Sequence, residues 1–459
     1  MTKKLVNSID MTEGPILKKL IRCAVPLIIG NVLSVLFNLA DTLVLGIFRG
    51  DAAVGAVGST GAIYNLIIGL AIGLSMGSNV IVAKAIGAKD EQSVKKSIGM
   101  SVMLSLILGA VVFLIGFFFS KNFLVWTGVT ADRLKNATLY LKVIFCGMPL
   151  ILLYNFCASI LRASGDTLRP MIYISIGGAM NVILNVVFVW AFGMGVEGVA
   201  IATVVSNGFA AVMCFRALVR NQGMVKFELK HFKLYKEQLI EVLKVGLPCG
   251  VQGCLFSISN VVIQSSINSF GPIVMDGSGY ANHFDNIVYT IQNAIAVTTM
   301  AFVSQNVGAR NMKRVKRTTL TATGFVSVVG LCLGLISLLI VRPALGLITD
   351  NQEVIQAAFI KVKFVAFPYF LCGAMEVISF SLRGLGKSFV SMLICIFGSV
   401  VLRVAWIEFI LPLNRSLEML YIVYAISWIV TIAILLVAYI VVQKRLAQKI
   451  NMEKLMEHA

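Results

Sequence analysis

The sequence predicts an all-α polytopic membrane protein whose twelve transmembrane helices form two six-helix bundles. A pseudo-two-fold axis along the membrane normal is expected to relate the bundles. Three observations predict this fold: an apolar composition, a series of apolar runs of membrane length, and an internal repeat. Hydrophobic residues make up 58% of the 459 positions and charged residues only 13%, whereas a soluble domain has about 45–50% apolar and about 25% charged residues. This composition excludes a soluble enzyme, a disordered chain and a fibrous protein.

The apolar runs determine the number of spans. A transmembrane helix needs roughly 20 predominantly apolar residues. The runs are continuous rather than alternating, which favours helices over a β-barrel. No cleavable signal sequence precedes the first run, so we expect the first span to be retained. The predicted spans are 17–48, 52–83, 98–120, 138–162, 170–192, 197–219, 239–267, 280–307, 319–342, 360–383, 388–411 and 417–443.

The positive charges predict the orientation of these spans. Of the 39 lysines and arginines, 29 fall in the segments on the side of the N-terminus and nine on the opposite side, including Lys361. Arg403 lies within a span. Since cytoplasmic loops carry the excess of Lys and Arg, both termini are expected in the cytoplasm. The membrane is expected to be the inner (plasma) membrane of the cell. The net charge of +18 is then explained by topology, and no nucleic-acid partner is expected.

A basic segment from Arg216 to Lys244 separates the first six spans from the last six. The predicted domains are therefore 1–219, a linker at 220–238, and 239–459. The halves repeat each other at an offset of 221 or 222 residues, and because each half has an even number of spans the repeats are parallel. Parallel repeats of this kind are typical of secondary transporters that rock one bundle against the other. The matching pairs are Pro26 with Pro248, Gly87–Lys96 with Gly308–Arg317, and Leu161–Asp166 with Leu382–Lys387.

Asp41 is the most unusual residue of the first span. It is flanked by apolar residues on both sides, and a carboxylate at such a depth costs a few kcal/mol. Either the residue lies just beyond the span end, or it binds a cation or a proton. Asn181 and Asn185 of the fifth span are four residues apart and share one helix face, and Thr203 lies in the sixth span. These oxygen donors suit a small cation such as Na⁺, although paired asparagines also bond helices to each other.

With Pro26 and Asp41 in the first span, the sequence resembles the multidrug and toxic compound extrusion (MATE) family. The resemblance also rests on the 6+6 arrangement, the long middle linker, the LRASGDTLRP and LRGLGKS turns, and the GAKD and GARN turns. It implies a cation-coupled exporter with its cation or proton site in the N-terminal bundle. That site corresponds to Asp41, Asn181, Asn185 and Thr203 in this chain, where Asn185 stands at a position that is Asp or Asn in the family. In the family a proline at the position of Pro26 is linked to bending of the first span; a static kink is the alternative.

Other family members use acidic residues in the seventh and tenth spans. Here the seventh span has Gln252 and no carboxylate, whereas the tenth carries Glu376. Glu376, with Gln252, is a candidate for substrate binding or for a second protonation; a carboxylate satisfied within its own bundle is the alternative. From its depth, Arg403 is expected to pair with Asp285 or Glu408.

The favoured function is a Na⁺- or H⁺-coupled antiporter that exports organic, cationic compounds by alternating access. The alternative is a lipid-linked oligosaccharide flippase of the same superfamily. The loop typical of major-facilitator carriers is absent after the second span, and no clustered nucleophile, base or metal set indicates an enzyme. The sequence lacks the phosphate loop that a nucleotide-driven pump would need. We expect a monomer without a cofactor, surrounded by lipid and acting on small organic substrates.

Overall fold

The structure is a computed structural model that describes residues 8–458, and over this range it contains helices and no β-strand. In the first half the helices are α1 Ile16–Arg49, α2 Asp51–Gly58, α3 Gly61–Gly87, α4 Glu91–Trp126, α5 Ala131–Cys146, α6 Met148–Ala163, α7 Leu168–Val186 and α8 Val196–Arg220. In the second half they are α9 Lys236–Asn268, α10 Pro272–Gly308, α11 Met312–Leu345, α12 Gln352–Lys361, α13 Tyr369–Gly384, α14 Ser388–Cys395, α15 Leu402–Ala405 and α16 Leu417–His458. Short π-helical segments follow α7, α12, α14 and α15.

Eleven helical stretches of the described chain are long and apolar enough to cross a membrane. The pair α5 and α6, bent by 50° at residue 147, would be a twelfth span. The predicted all-α multi-span class is therefore confirmed. The predicted second span, 52–83, is divided into α2 and α3 by a turn at Ser59–Thr60, where three glycines at positions 55, 58 and 61 lower the local helix propensity.

The internal repeat is visible in the backbone of the turns. Lys89 and Arg310, 221 positions apart, are the non-glycine residues with positive φ in the described chain, at 57° and 53°. The next residue in each case caps the following helix: the side chains of Asp90 and Asn311 accept from the backbone N–H three residues on, at 2.9 and 3.1 Å. This capping satisfies N–H groups that the first helical turn leaves free. The GAKD and GARN motifs thus encode the same turn twice.

The contacts divide the described chain into two compact units. Unit 1 comprises residues 8–10 and 25–250, and unit 2 comprises residues 11–24 and 251–458. The boundaries lie inside α1 and α9, within three residues of Pro26 and Pro248. The predicted domain boundaries lie instead at the two ends of the linker 220–238. The division into these domains stays a prediction.

Each unit is built around one apolar helix. In unit 1, α6 packs against α3, α4 and α8, and in unit 2, α13 packs against α10, α11 and α16. These two helices correspond at an offset of 221. Burial of their apolar side chains, such as Phe156 in α6 and Phe380 in α13, fixes the helices around them, because each fully buried large side chain contributes roughly 1.5–3 kcal/mol.

The segment between α8 and α9 packs on α4 of unit 1. Glu228 forms ion pairs with Lys95 at 2.7 Å and with Lys230 at 2.9 Å. Hydrogen bonds from these two lysines lower the pKa of Glu228 to about 2. A Cβ at Gly99 of α4 would lie 2.1 Å from the carbonyl oxygen of His231, so a glycine is required where this segment crosses the helix.

Candidate functional site

A cavity of about 180 Å³ lies among α1, α3, α7 and α8 of unit 1. Eight of the twelve residues that line it have polar side chains, although the helices that form its walls are apolar. Asp41 lines it from α1, Asn181 from α7 and Thr203 from α8. Asn185 lies one helical turn beyond Asn181 and is fully buried. The structure therefore brings together all four residues that the sequence predicted as a coupling site; their role in ion binding stays a prediction.

Two amide groups converge on one carboxylate oxygen. The Asn185 amide donates to Asp41 Oδ1 at 2.5 Å. In the orientation that satisfies both of its polar atoms, the Asn181 amide donates to the same oxygen at 2.6 Å and accepts from the Thr203 N–H at 3.3 Å. Hydrogen bonds to an ionised acceptor are about twice as strong as neutral ones. The two asparagines thus hold the carboxylate in place.

The same cluster leaves oxygen atoms available for a ligand. Asn185 Oδ1 and Ser206 Oγ are buried, and neither has a hydrogen-bond partner among the described residues. Buried polar atoms are rarely left unpaired, since each costs about 1–3 kcal/mol. A half-turn of the two amides would exchange their N–H groups for oxygens around Asp41. Carboxylate, amide and hydroxyl oxygens are suitable ligands for a hard cation.

Several further residues of the cavity were not predicted, among them three on α1, α3 and α8. Asn38 lies three residues before Asp41 on α1, Asn207 lies four residues after Thr203 on α8, and Tyr64 lines the cavity from α3. The amide of Asn207 donates to the carbonyl oxygen of Thr203 at 2.9 Å. The helical spacing of Asn38 and Asn207 from predicted ligands was a usable signal. Tyr64 had no such signal, because its helix contributes no predicted ligand.

Pro26 lies inside α1, which continues as a helix on both sides of it. Asp41 follows fifteen residues later on the same helix, about 22 Å further along the axis. Proline removes one backbone hydrogen bond from a helix interior and allows bending there. Its predicted role in a conformational kink stays a prediction.

In unit 2, Glu376 is buried in α13 and accepts a hydrogen bond from the Asn293 amide at 3.3 Å. Gln252 is buried in α9, and its Oε1 has no hydrogen-bond partner over residues 8–458. The described hydrogen bonds thus assign Glu376 to Asn293 and leave the Gln252 oxygen open. Substrate binding or protonation at either residue stays a prediction.

The predicted ion pair of Arg403 is wrong. Its Nε donates to Ser427 Oγ at 2.9 Å, and its guanidinium lies over the rings of Tyr424, at 4.4 Å, and Trp428, at 5.8 Å. Asp285 pairs instead with Lys361, with Nζ–Oδ2 at 3.7 Å. Depth along a span determines which groups share a level, but not which way each side chain points around its helix axis.

Lys361, assigned from the sequence to an outer segment, is only 3% exposed. It lies at the end of α12, within the helical stretch 352–384 that is apolar enough to span a membrane. It lies at the outer end of the predicted tenth span, 360–383, and was counted there with the charges of the outer segments. The structure shows it as one of the buried cations of unit 2, together with Arg383 and Arg403.

Comparison with known proteins decides the family. The MatE family model matches residues 26–190 and 248–406, well over half of the chain. The chain belongs to the MatE family. This MATE protein is 26% identical to the probable multidrug resistance protein YoeA of Bacillus subtilis, over 86% of this chain and 87% of YoeA. It is 23% identical to the multidrug export protein MepA of Staphylococcus aureus, over 92% and 91%.

The same fold occurs among solved structures. One is the outward-facing conformation of a multidrug resistance MATE family transporter of the MOP superfamily. It superposes with a TM-score of 0.87 at 24% identity, covering 98% of this chain and all of the other. The fold and the family together identify this chain as a multi-pass membrane transporter, as the sequence predicted.

Proposed function

We propose that this MATE protein is a cation-coupled antiporter that exports organic, cationic compounds, including drugs, by alternating access. The export of drugs is supported by the names of its relatives YoeA and MepA. The coupling cation, Na⁺ or H⁺, binds at Asp41, with Asn181, Asn185 and Thr203 as its oxygen ligands. The observation that carries the proposal is the convergence of two amides on the Asp41 carboxylate beside an unpaired, fully buried Asn185 oxygen.

One carboxylate gives the site one negative charge, and this limits what it can hold. A proton on Asp41 removes the charge that attracts Na⁺, so the two ions compete rather than bind together. Whichever ion binds, it can shift the equilibrium between two conformations only by the difference between its binding free energies for them. Bending of α1 at Pro26 is the proposed link between the site and that conformational change.

The rest of the proposal concerns the surroundings of the protein. We expect a monomer in the inner membrane, with both termini in the cytoplasm, no nucleic-acid partner, no cofactor and no catalytic activity. Glu376 and Gln252 of unit 2 are proposed to contact the substrate or a second proton. Two of the buried cations, Lys361 and Arg403, are occupied by their own side-chain neighbours, so these two do not favour a flippase that binds pyrophosphate.

The test is transport of a cationic dye in everted vesicles, with the Na⁺ gradient and the pH gradient imposed separately. One of the two gradients is expected to drive dye movement. Asp41→Asn is expected to abolish gradient-driven movement, because Coulomb attraction of about 4 kcal/mol at an effective dielectric of 20 is lost, which corresponds to roughly a thousandfold in cation affinity.

The matched control is Asp51→Asn, which removes an exposed carboxylate at the start of α2, outside the cavity. This variant should transport like the wild type, and both variants should reach the membrane in equal amounts. Gradient-driven dye movement retained by Asp41→Asn would refute the assignment of the site. Lipid scrambling without dependence on either gradient would instead support the flippase.

A further inference from the structure

Unit 2 contains a second oxygen cluster, which lies on one face of α10. Ser278, Asn282 and Asp285 are spaced by four and three residues, so their side chains lie one above another on that face. Lys361 of α12 points into the cluster. Its Nζ lies 2.5 Å from Asn282 Oδ1, 3.0 Å from Ser278 Oγ, 3.2 Å from the Ser278 carbonyl oxygen and 3.7 Å from Asp285 Oδ2.

The cluster has the composition of a cation site. Carboxylate, amide, hydroxyl and carbonyl oxygens surround one ammonium group, whose three N–H donors can each find an acceptor. The Lys361 ammonium also lies 6.0 Å from the ring centre of Tyr421, within the range of a cation–π contact. Lys361 is 3% and Asp285 8% exposed. A charge so buried is retained only when it is paired and hydrogen-bonded.

One oxygen of the cluster is not used by the lysine. Asp285 Oδ1 is buried and has no hydrogen-bond partner in the described part of the chain. An ion pair whose carboxylate were fully satisfied would leave no ligand for another cation. This carboxylate keeps one oxygen unpaired beside the ammonium, so the cluster would offer a free acceptor to an amine that took the place of the lysine side chain.

The cluster is not a copy of the site in unit 1. At the repeat offset of 221, Asp285 corresponds to Tyr64 and Lys361 to Tyr140. Both tyrosines pack against an apolar cluster of unit 1, and Tyr64 lines the cavity of Asp41. The carboxylate and the ammonium therefore occur together in unit 2 where unit 1 has two phenols. The charged pair of unit 2 therefore has no charged counterpart at the corresponding positions of unit 1.

We propose that Ser278, Asn282 and Asp285 form a monovalent-cation site whose cation is supplied by the chain itself, as the Lys361 ammonium. The covalent link fixes the local concentration of this cation, so the site is always filled and exchanges no ion. Removal of the lysine side chain opens a site of the same chemistry for a free ammonium ion or a small primary amine. This inference does not depend on ion coupling at Asp41.

The experiment uses the full-length protein and follows thermal unfolding in detergent. Lys361→Ala removes three carbons and the nitrogen, which n-propylammonium replaces atom for atom. The variant is expected to unfold about 3–10 °C below the wild type, because one charge of a buried pair is left alone. n-Propylammonium should restore at least half of that loss, whereas tetramethylammonium at the same concentration and pH, which has no N–H donor, should restore none.

Two variants serve as matched controls. Lys361→Met fills the space of the lysine chain without its charge, so it should be destabilised but unresponsive to the amine. Arg403→Met removes another buried cation of unit 2, which is held by rings and a hydroxyl rather than by a carboxylate. It should likewise show no response to n-propylammonium.

A double variant separates the site from a general effect of the amine. Lys361→Ala combined with Asp285→Asn removes both charges, so it should regain stability without amine and lose the amine response. If Lys361→Ala can be purified only when n-propylammonium is present, that dependence supports the site. The proposal is overturned if Lys361→Ala is as stable as the wild type, if n-propylammonium fails to restore it, or if both amines act equally.

Discussion

Replacement of Asn185 by leucine should separate the stability of unit 1 from its response to cations. Asn185 is 0% exposed; its Nδ2 donates to Asp41 Oδ1 at 2.5 Å, and its Oδ1 is unpaired. Leucine has a similar volume and removes both atoms. Loss of a hydrogen bond to a charged acceptor costs about 1.5–3 kcal/mol, and removal of an unpaired buried oxygen returns about 1–3 kcal/mol. The two changes nearly cancel, so the unfolding temperature should move by less than about 3 °C.

The effect of Asn185→Leu on cation affinity has no opposing contribution of this kind. The Asn185 oxygen is a proposed ligand, and the interaction of a charge with one polar group is worth about 1.5–3 kcal/mol. Its loss should therefore weaken binding of the coupling cation roughly ten- to hundredfold. A Na⁺ or pH titration of the unfolding temperature, together with gradient-driven dye transport, measures this effect. A ligand that binds only the folded state raises stability in proportion to the logarithm of its concentration over Kd.

Asn155→Leu provides the control. Asn155 lies in α6 of the same unit and donates to the carbonyl oxygen of Ile151 at 2.8 Å, without lining the cavity. This variant should keep the full cation response of the wild type. The reasoning is refuted if Asn185→Leu unfolds more than about 5 °C below the wild type, or if its cation titration matches that of the wild type.

Two further predictions concern packing and pH. Gly73→Ala should destabilise the protein by about 1–3 kcal/mol, because the new Cβ would lie 2.3 Å from the backbone nitrogen of Gly250. The control Gly69→Ala meets open space on the same helix and should be neutral or stabilising. Equal unfolding temperatures of the two variants would contradict this packing. Glu228→Gln should destabilise the protein at neutral pH. Since the pKa of Glu228 is lowered from 4.5 to about 2, its contribution is present above pH 4.5 and is lost as pH falls towards 2. The difference between variant and wild type should shrink over that range, and a constant difference would be evidence against the ion pairs.

The fold and the cluster in unit 1 could be predicted because their signals are local. A span needs only a long apolar run, and Asp41 was evident as a carboxylate within one. The four-residue spacing of Asn181 and Asn185 placed both on one helix face. The partner helix of that face, α8, follows α7 directly in sequence, so the inclusion of Thr203 required little knowledge of long-range packing.

The cation of unit 2 could not be predicted in the same way. Lys361 lies 76 positions from Asp285, and no local pattern around Lys361 indicates which helix it faces. A polar stripe was nevertheless present at Ser278, Asn282 and Asp285. Such a stripe on an apolar helix indicates that something polar covers it, but the identity of the covering group depends on how the helices pack.

The two units thus stabilise a buried carboxylate in opposite ways. This difference bears on where coupling can occur. In unit 1 the cluster around Asp41 keeps a buried amide oxygen unpaired, which is the ligand that the proposed coupling cation would use. In unit 2 the cluster around Asp285 already holds a covalently attached ammonium. A ligand can shift a conformational equilibrium only by its difference in affinity between the states, and a cation that never leaves contributes no such difference. Of these two clusters, the one around Asp41 is therefore favoured for the proposed coupling, and Lys361→Ala should create an additional amine-dependent step without removing the dependence on Asp41.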